Sequence, residues 1–261
     1  MIRSIRRASP ALLAALVVAA CARGGPPAAT KAAAASSPAA GAAGAEPAGA
    51  EPAGAEPADT GAWDVLFDGH DISRWRGFRM DHVPAAWRIE NGAIALEPGE
   101  GGERADLITR DTYRDFELEL EWKIAPGGNS GIIYRVGEDE PYTWRTGPEM
   151  QVLDNERAED NHPASHRAGA LYDLYAPSEE TVRPAGQWNH VRIVVRDGRV
   201  EHWLNGKRIV AYELGSDDWK AHVQASKFRT MPAFGTVTDG HIALQDHGAA
   251  VWYRNVRIRR L

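Results

Sequence analysis

The segment Asp115–Ile124 constrains the fold of this chain most, because apolar and charged side chains alternate strictly along it. Every even-numbered residue from Phe116 to Ile124 is apolar, and Glu117, Glu119 and Glu121 stand between them. A period of two over this length is typical of a β-strand with one buried and one wet face. The sequence therefore predicts an antiparallel sheet that exposes one side to water.

Two turn signals extend this prediction. Asn205-Gly206 separates Arg199–Leu204 from Lys207–Tyr212, and Asp197-Gly198 precedes them. Both dipeptides favour type I′ turns, so Gln187–Tyr212 is predicted to be a three-stranded meander. About a dozen short strands with one short helix, Asp217–Ser226, indicate a two-sheet sandwich or jelly roll. Further strands are predicted at Trp63–Phe67, Trp87–Glu90, Ala93–Leu96, Asp106–Thr109, Gly131–Val136, Glu149–Leu153, Ala170–Leu174, His241–Gln245 and Val251–Arg259.

The start of the chain has the features of an export signal. Three arginines precede the apolar run Ala11–Ala20, which is too short to span a bilayer, so residues 1–20 are predicted to be a signal peptide. Val18-Ala19-Ala20-Cys21 follows and resembles a bacterial lipobox, in which the cysteine is lipidated. The alternative is an ordinary signal peptide that ends near a chance cysteine. The resemblance predicts a lipid-anchored protein of the bacterial envelope, with the outer membrane favoured.

Composition divides the rest of the chain. Residues 21–59 are almost entirely Ala, Gly, Pro, Glu and Ser with a repeated AGAEP, so they are predicted to form a disordered tether. Residues 60–261 are predicted to be one β-sandwich domain. Cys21 is the only cysteine, which excludes an intramolecular disulfide and a cysteine-based zinc site. A net charge of −6 without a Lys/Arg block argues against a nucleic-acid partner.

Several polar residues fall where a sheet face could collect them. Glu149 and Gln151 share one face of the predicted strand Glu149–Leu153, while Asp154 joins that face only if a bulge intervenes. Arg135 shares a face with Ile133, where a guanidinium could orient a sugar or stabilise an oxyanion. The plainer alternatives are a solvated strand face and a structural ion pair.

A third candidate lies near the C-terminus. Gln245 emerges opposite Ile242 and Leu244, and His247 sits at the end of the same strand. Histidine suits proton transfer because its ordinary pKa lies near neutrality, although most histidines are plain surface residues. Serine-hydrolase, phosphate-loop and dinucleotide motifs have no match in the sequence.

The loop Asp154–His166 could bind a divalent cation. Its spacing matches no metal motif, and Pro163 disfavours a helix that would place two histidines on one face. A solvated acidic loop is the alternative. Its potential ligands are Asp154, Glu156, Glu159, Asp160, His162 and His166.

From Trp63 to Leu261 the chain resembles the 3-keto-disaccharide hydrolase domain family. The resemblance depends on ordered blocks, among them VLFDG at 65–69, WRIENG at 87–92, GNSGI at 128–132 and PEMQVLD at 148–154. Later blocks are GALYD at 169–173, GQWN at 186–189, LNG at 204–206, the segment 240–248 and YRNVR at 253–257.

This resemblance implies a concanavalin-like jelly roll that cleaves glycosides already oxidised at C3. A ketone at C3 acidifies the C2 proton, so a base, a donor for the enediolate and an acid for the leaving oxygen suffice. The implied substrate is a carbohydrate. The hypothetical roles are a base at His247 or Glu149, enediolate binding by Arg135, Gln151 and Gln245, leaving-group assistance by Asp154 or Tyr172, and sugar binding by Asn129.

Two other functions fit the same sandwich. A retaining β-glucanase carries spaced acids on a concave strand, but here the middle position is Gln151, and Asp154 is short. A non-catalytic, lectin-like surface protein needs no acid at all.

Overall fold

The computed structural model describes residues 61–99 and 101–261. The predicted signal peptide 1–20, Cys21 and the predicted tether 21–59 lie outside the described residues. Within the described ranges the fold is an all-β sandwich, as predicted. Its strands are β1 (Asp64–Phe67), β2 (Trp75–Gly77), β3 (Trp87–Glu90), β4 (Ala93–Leu96), β5 (Leu107–Thr109), β6 (Phe116–Ile124), β7 (Asn129–Val136), β8 (Glu149–Leu153), β9 (Asn189–Arg196), β10 (Arg199–Leu204), β11 (Lys207–Glu213), β12 (His241–Leu244) and β13 (Val251–Arg260).

The strands form two antiparallel sheets. The larger sheet has the order β11-β10-β9-β6-β13-β4-β3, with β1 paired to β13, and the smaller has the order β2-β5-β12-β7-β8. The apolar side chains of β6 pack between the sheets, where Leu118 and Leu120 are fully buried beside Ile132 and Met150 of the smaller sheet. Burial of this apolar area stabilises the sandwich.

The turns explain the meander β9–β11. Asn205 and Gly206 have φ values of 51° and 84°, and Asp197 and Gly198 have 49° and 82°. Positive φ at both central residues is what a type I′ turn requires. The predicted hairpins are therefore confirmed.

The helix α1 (Asp217–Ala225) also agrees with the sequence prediction. The Ser216 hydroxyl caps it by accepting the N–H of Trp219 at 3.1 Å. No helix in residues 61–99 and 101–261 has both the length and the hydropathy to cross a bilayer.

The predicted strand Ala170–Leu174 is wrong. The N–H groups of Leu174 and Tyr175 both donate to the carbonyl of Leu171, so the chain turns back instead of extending. Asp173, with a φ of 60°, completes this turn. The short strand β2 was not predicted, because three residues are too few to show a period.

Candidate active site

Strand β8 supplies the centre of the site. Glu149 and Gln151 point away from the core on the outer face of the smaller sheet, opposite Ile133 and Gly131 of β7. Met150, between them, packs in the core. Both polar residues are nonetheless buried, with exposures of 6% for Glu149 and 1% for Gln151. Other residues must therefore cover this face.

Gly131 makes space for the Glu149 side chain. A Cβ built at Gly131 would overlap the Glu149 carboxylate and would lie 2.7 Å from its Cδ. The absence of a side chain on β7 thus lets the carboxylate lie across the neighbouring strand. The position of Glu149 depends on this glycine.

A cavity of about 230 Å³ lies over this face. We call it the inner cavity. It brings together six of the eight predicted site residues with three that the sequence did not assign to the site. The lining residues are Asn129, Glu149, Gln151, Tyr172, Gln245 and His247, together with Trp144, Asp160 and Lys227.

Several polar atoms in the wall of the inner cavity are buried without a hydrogen-bond partner. They are the Asn129 Oδ1, both amide atoms of Gln151 and the Gln245 Oε1. An unsatisfied buried polar atom costs roughly 1–3 kcal/mol, so such atoms are rare in native proteins. Amide donors and acceptors that converge on one small cavity indicate a ligand rich in hydroxyl or carbonyl groups.

Glu149 is the buried carboxyl of this cavity. Burial raises its pKa well above the ordinary value, and the negative charges of Asp106 and Asp160 act in the same direction. The Lys227 charge and a 3.4 Å hydrogen bond from the Gln245 amide oppose that rise. A carboxylate with a raised pKa is a stronger base, which is the property that proton abstraction from carbon needs.

Lys227 provides the cation that the sequence did not predict. It begins the 3₁₀ turn Lys227–Thr230 after α1, and its Nζ lies 4.2 Å from the ring centre of Tyr172 and 5.3 Å from that of Trp144. Its backbone N–H donates to the Asp173 carboxylate at 2.9 Å. Within the described part of the chain no carboxylate forms an ion pair with its ammonium group. The charge is therefore available to a ligand.

The acidic loop, for which the sequence leaves a cation site and a solvated loop as alternatives, contributes a hydrogen-bonded network. Tyr172 Oη donates to Asp160 at 2.8 Å, and the other Asp160 oxygen lies 2.7 Å from His166 Nδ1. The His166 ring stacks on Tyr172 with 4.4 Å between centres. In residues 61–99 and 101–261 no group of three or more His, Cys, Asp or Glu side chains could hold a metal ion. The six potential ligands of the loop do not converge.

The structure does not bring Arg135 to the inner cavity. A bulge shifts the pairing of β7 with β12, and Arg135 takes a φ of 54° there, which breaks the alternation on which its placement depended. Its guanidinium donates to the carbonyl of Arg114 at 3.3 Å and lies 3.9 Å from Asp115. Arg135 therefore has a structural position away from Glu149.

Asp154 is also absent from the wall of the inner cavity. Its carboxylate accepts the N–H groups of Gly127 at 2.7 Å and Glu156 at 3.1 Å, so it holds the turn after β8. Both oxygens are committed to the backbone. The bulge that would bring it to the face of Glu149 does not occur, and Asp160 is the second carboxylate of the cavity.

Comparison with known proteins confirms the family resemblance. The family described as the 3-keto-alpha-glucoside-1,2-lyase-like domain matches residues 62–259. A protein of Bacteroides thetaiotaomicron named 3-keto-disaccharide hydrolase is 36% identical over 236 residues, covering 78% of this chain and 80% of the relative. The chain belongs to this family.

Solved structures agree with that assignment. A candidate glycosyl hydrolase from Parabacteroides distasonis is 34% identical, with a TM-score of 0.69, covering 76% of this chain and 94% of the other. A second from the same species is 26% identical with a TM-score of 0.61, covering 77% and 100%.

Proposed function

We propose that this protein cleaves glycosides whose sugar carries a ketone at C3, in the manner that the name of its Bacteroides relative describes. The observation that carries the proposal is the set of unpaired buried polar atoms around Glu149 in a cavity of about 230 Å³. A cavity of this size with a polar wall suits one sugar ring. Family membership supports the same class of substrate.

The chemistry starts at the sugar C2. The C3 ketone acidifies the C2 proton, which the Glu149 carboxylate accepts, and the electron pair forms an enediolate. The Lys227 charge and the amide N–H groups of Gln151 and Gln245 stabilise the developing oxyanion. The C1–oxygen bond then breaks as a C1–C2 double bond forms. Water adds across that bond, placing hydroxyl on C1 and a proton on C2.

The leaving oxygen must receive a proton. The Tyr172 hydroxyl is a poor source, because it already donates to Asp160 and because burial and that carboxylate raise its pKa. His247 lies exposed at the edge of the inner cavity and makes no side-chain hydrogen bond to another described residue. Of the predicted acids and bases, His247 is therefore best placed to protonate the leaving oxygen, and Glu149 is best suited to remove the C2 proton.

A retaining glucanase would need a second carboxyl group near Glu149 on the same strand, and this chain has none there. Double displacement needs two carboxyl groups about 5–5.5 Å apart, but Gln151 is an amide. Asp154 binds backbone N–H groups instead. These contacts favour C2 chemistry, which needs only one carboxylate as base.

One assay separates the three functions. The purified protein is incubated with methyl 3-keto-α-D-glucopyranoside, with unoxidised methyl α-D-glucopyranoside and with a soluble β-glucan, and released methanol and reducing sugar are measured. Turnover of the keto substrate alone is expected. Turnover of the β-glucan would support a glucanase, and saturable binding of an unoxidised sugar without turnover of any substrate would support a lectin; either result would contradict the proposal.

We propose that the protein is anchored to the bacterial envelope, on the basis of residues outside the described ranges. Cys21 directly after an apolar segment supports lipidation and attachment to the bacterial envelope. Mass spectrometry of the protein from a bacterial host is expected to find an acylated Cys21 at the mature N-terminus. A Cys21→Ser variant should leave the membrane fraction.

A further inference from the structure

A second, larger hollow adjoins the inner cavity. We call it the outer hollow; its volume is about 750 Å³, and His247 lines both spaces. Apolar side chains of Phe78, Met80, Pro141 and Tyr142 form much of its wall, and Asp246 contributes a carboxylate. The residue assigned to the leaving oxygen thus stands at the border between the two spaces.

Asp246, in the wall of the outer hollow, has an acceptor oxygen without a hydrogen-bond partner. One of its oxygens accepts two hydrogen bonds, one from the Arg104 guanidinium at 2.7 Å and one from the backbone N–H of Gly248 at 3.0 Å. The other oxygen is buried and has no hydrogen-bond partner, and the whole side chain is only 6% exposed. A buried carboxylate oxygen without a donor costs free energy, which a ligand hydroxyl would recover.

Tyr142 connects the two spaces through an aromatic pair. Its ring stacks on Trp144, with 5.4 Å between centres and 11° between planes, while Trp144 lines the inner cavity. Tyr142 itself is 56% exposed, and its hydroxyl makes no hydrogen bond to another described residue. Such a face suits the C–H side of a sugar ring.

The geometry points to a binding site for the leaving sugar. The outer hollow takes the second, unoxidised hexose of a 3-keto-disaccharide, with its ring on Tyr142 and a hydroxyl donating to Asp246. The glycosidic oxygen then lies at His247. This inference depends on the proposed function, because it assumes that the oxidised ring occupies the inner cavity.

The test compares two substrates. We measure kcat/KM for a 3-keto-disaccharide with a glucose leaving group and for methyl 3-keto-α-D-glucopyranoside, and take their ratio. Tyr142→Ala is expected to lower this ratio about tenfold, since loss of the aromatic face affects only the larger leaving group. Asp246→Asn should lower it similarly. Val65→Ala, which truncates an equally exposed side chain on β1, is the matched control and should leave the ratio unchanged.

The outcomes separate the two proposals. If the wild type cleaves both substrates but Tyr142→Ala keeps the ratio, the leaving-sugar site is wrong and the proposed function stands. If the wild type cleaves neither, the proposed function is wrong. Calorimetric titration with methyl α-D-glucopyranoside then decides the site alone: binding that Tyr142→Ala abolishes supports it, and no binding by the wild type contradicts it.

Discussion

The two outer faces of the sandwich differ in how their polar side chains are satisfied. On the larger sheet, Glu117, Glu119 and Glu121 of β6 each bind an arginine of β13. On the smaller sheet, Gln151 has no partner for either amide atom, and Glu149 has only a long contact with Gln245. Both faces follow the same alternation in sequence. The faces differ in the partners that their polar groups have.

This difference separates structural polar groups from functional ones. Paired charges on a sheet surface hold neighbouring strands together and need nothing further. Buried unpaired groups cost stability, so their retention indicates that a ligand completes them. The comparison predicts that substitutions on the smaller sheet change activity, whereas those on the larger sheet change only stability.

The largest effect is expected for Glu149→Gln. Loss of the general base should lower kcat about 10³-fold, within the 10²–10⁴ typical of such groups. The melting temperature should not fall, because the variant removes a buried carboxyl. Glu119→Gln is the matched control on the other face and should keep full activity. Equal losses of activity in the two variants would contradict the proposed difference between the two faces.

Gly131→Ala should misplace the same carboxylate without removing it. The new Cβ overlaps the Glu149 carboxyl group, and a displacement near 1 Å can cost about 10²-fold in rate. The measurement is kcat/KM with a 3-keto glycoside. Gly101→Ala is the control, because nothing lies within 4 Å of its added Cβ. Full activity in Gly131→Ala would show that the position of Glu149 is not critical.

Glu117→Gln should lower the stability of the protein and leave its activity unchanged. Glu117 is 3% exposed and accepts hydrogen bonds from both Arg192 and Arg259. Breaking a buried pair costs about 3–5 kcal/mol, and the partial exposure of these arginines reduces the expectation to about 2 kcal/mol. Urea denaturation measures the loss, while kcat per folded molecule should stay constant.

Lys227→Met should cause the smallest of the expected losses of activity, about tenfold in kcat/KM, as oxyanion stabilisation falls. The Lys227 charge lowers the pKa of Glu149, so without it the carboxyl keeps its proton to higher pH. The rise of kcat/KM with pH should therefore move upward. Lys220→Met, on the exposed face of α1, is the control. An unmoved pH profile would exclude an electrostatic role for Lys227.

Local patterns predicted much of the fold. Strand β6 and the hairpin β10–β11 were correct, because side-chain period and turn chemistry are both encoded within a few residues. The turn at Leu171 was missed because its closure depends on hydrogen bonds that no alternation reveals. The family resemblance added the topology, which distant strand pairing determines.

The site residues could be predicted only where side chains alternate regularly between the two faces of a strand. Glu149 and Gln151 share a regular strand, so their common face follows from sequence. Arg135 was misplaced because a bulge inserts an extra residue into β7, and sequence alternation does not mark that position. No sequence pattern marks Lys227 as a site residue. It reaches the cavity because of the path that the chain takes after α1, which local sequence does not reveal.

The most direct test of the account follows the sugar C2 proton in D₂O. Methyl 3-keto-α-D-glucopyranoside is incubated with wild type, with Glu149→Gln and without protein, and the product is analysed by NMR. The account predicts a 3-keto-glucose that carries solvent deuterium at C2 in the wild-type reaction, at a rate far above both controls. Rapid cleavage that retains the original C2 proton would contradict it.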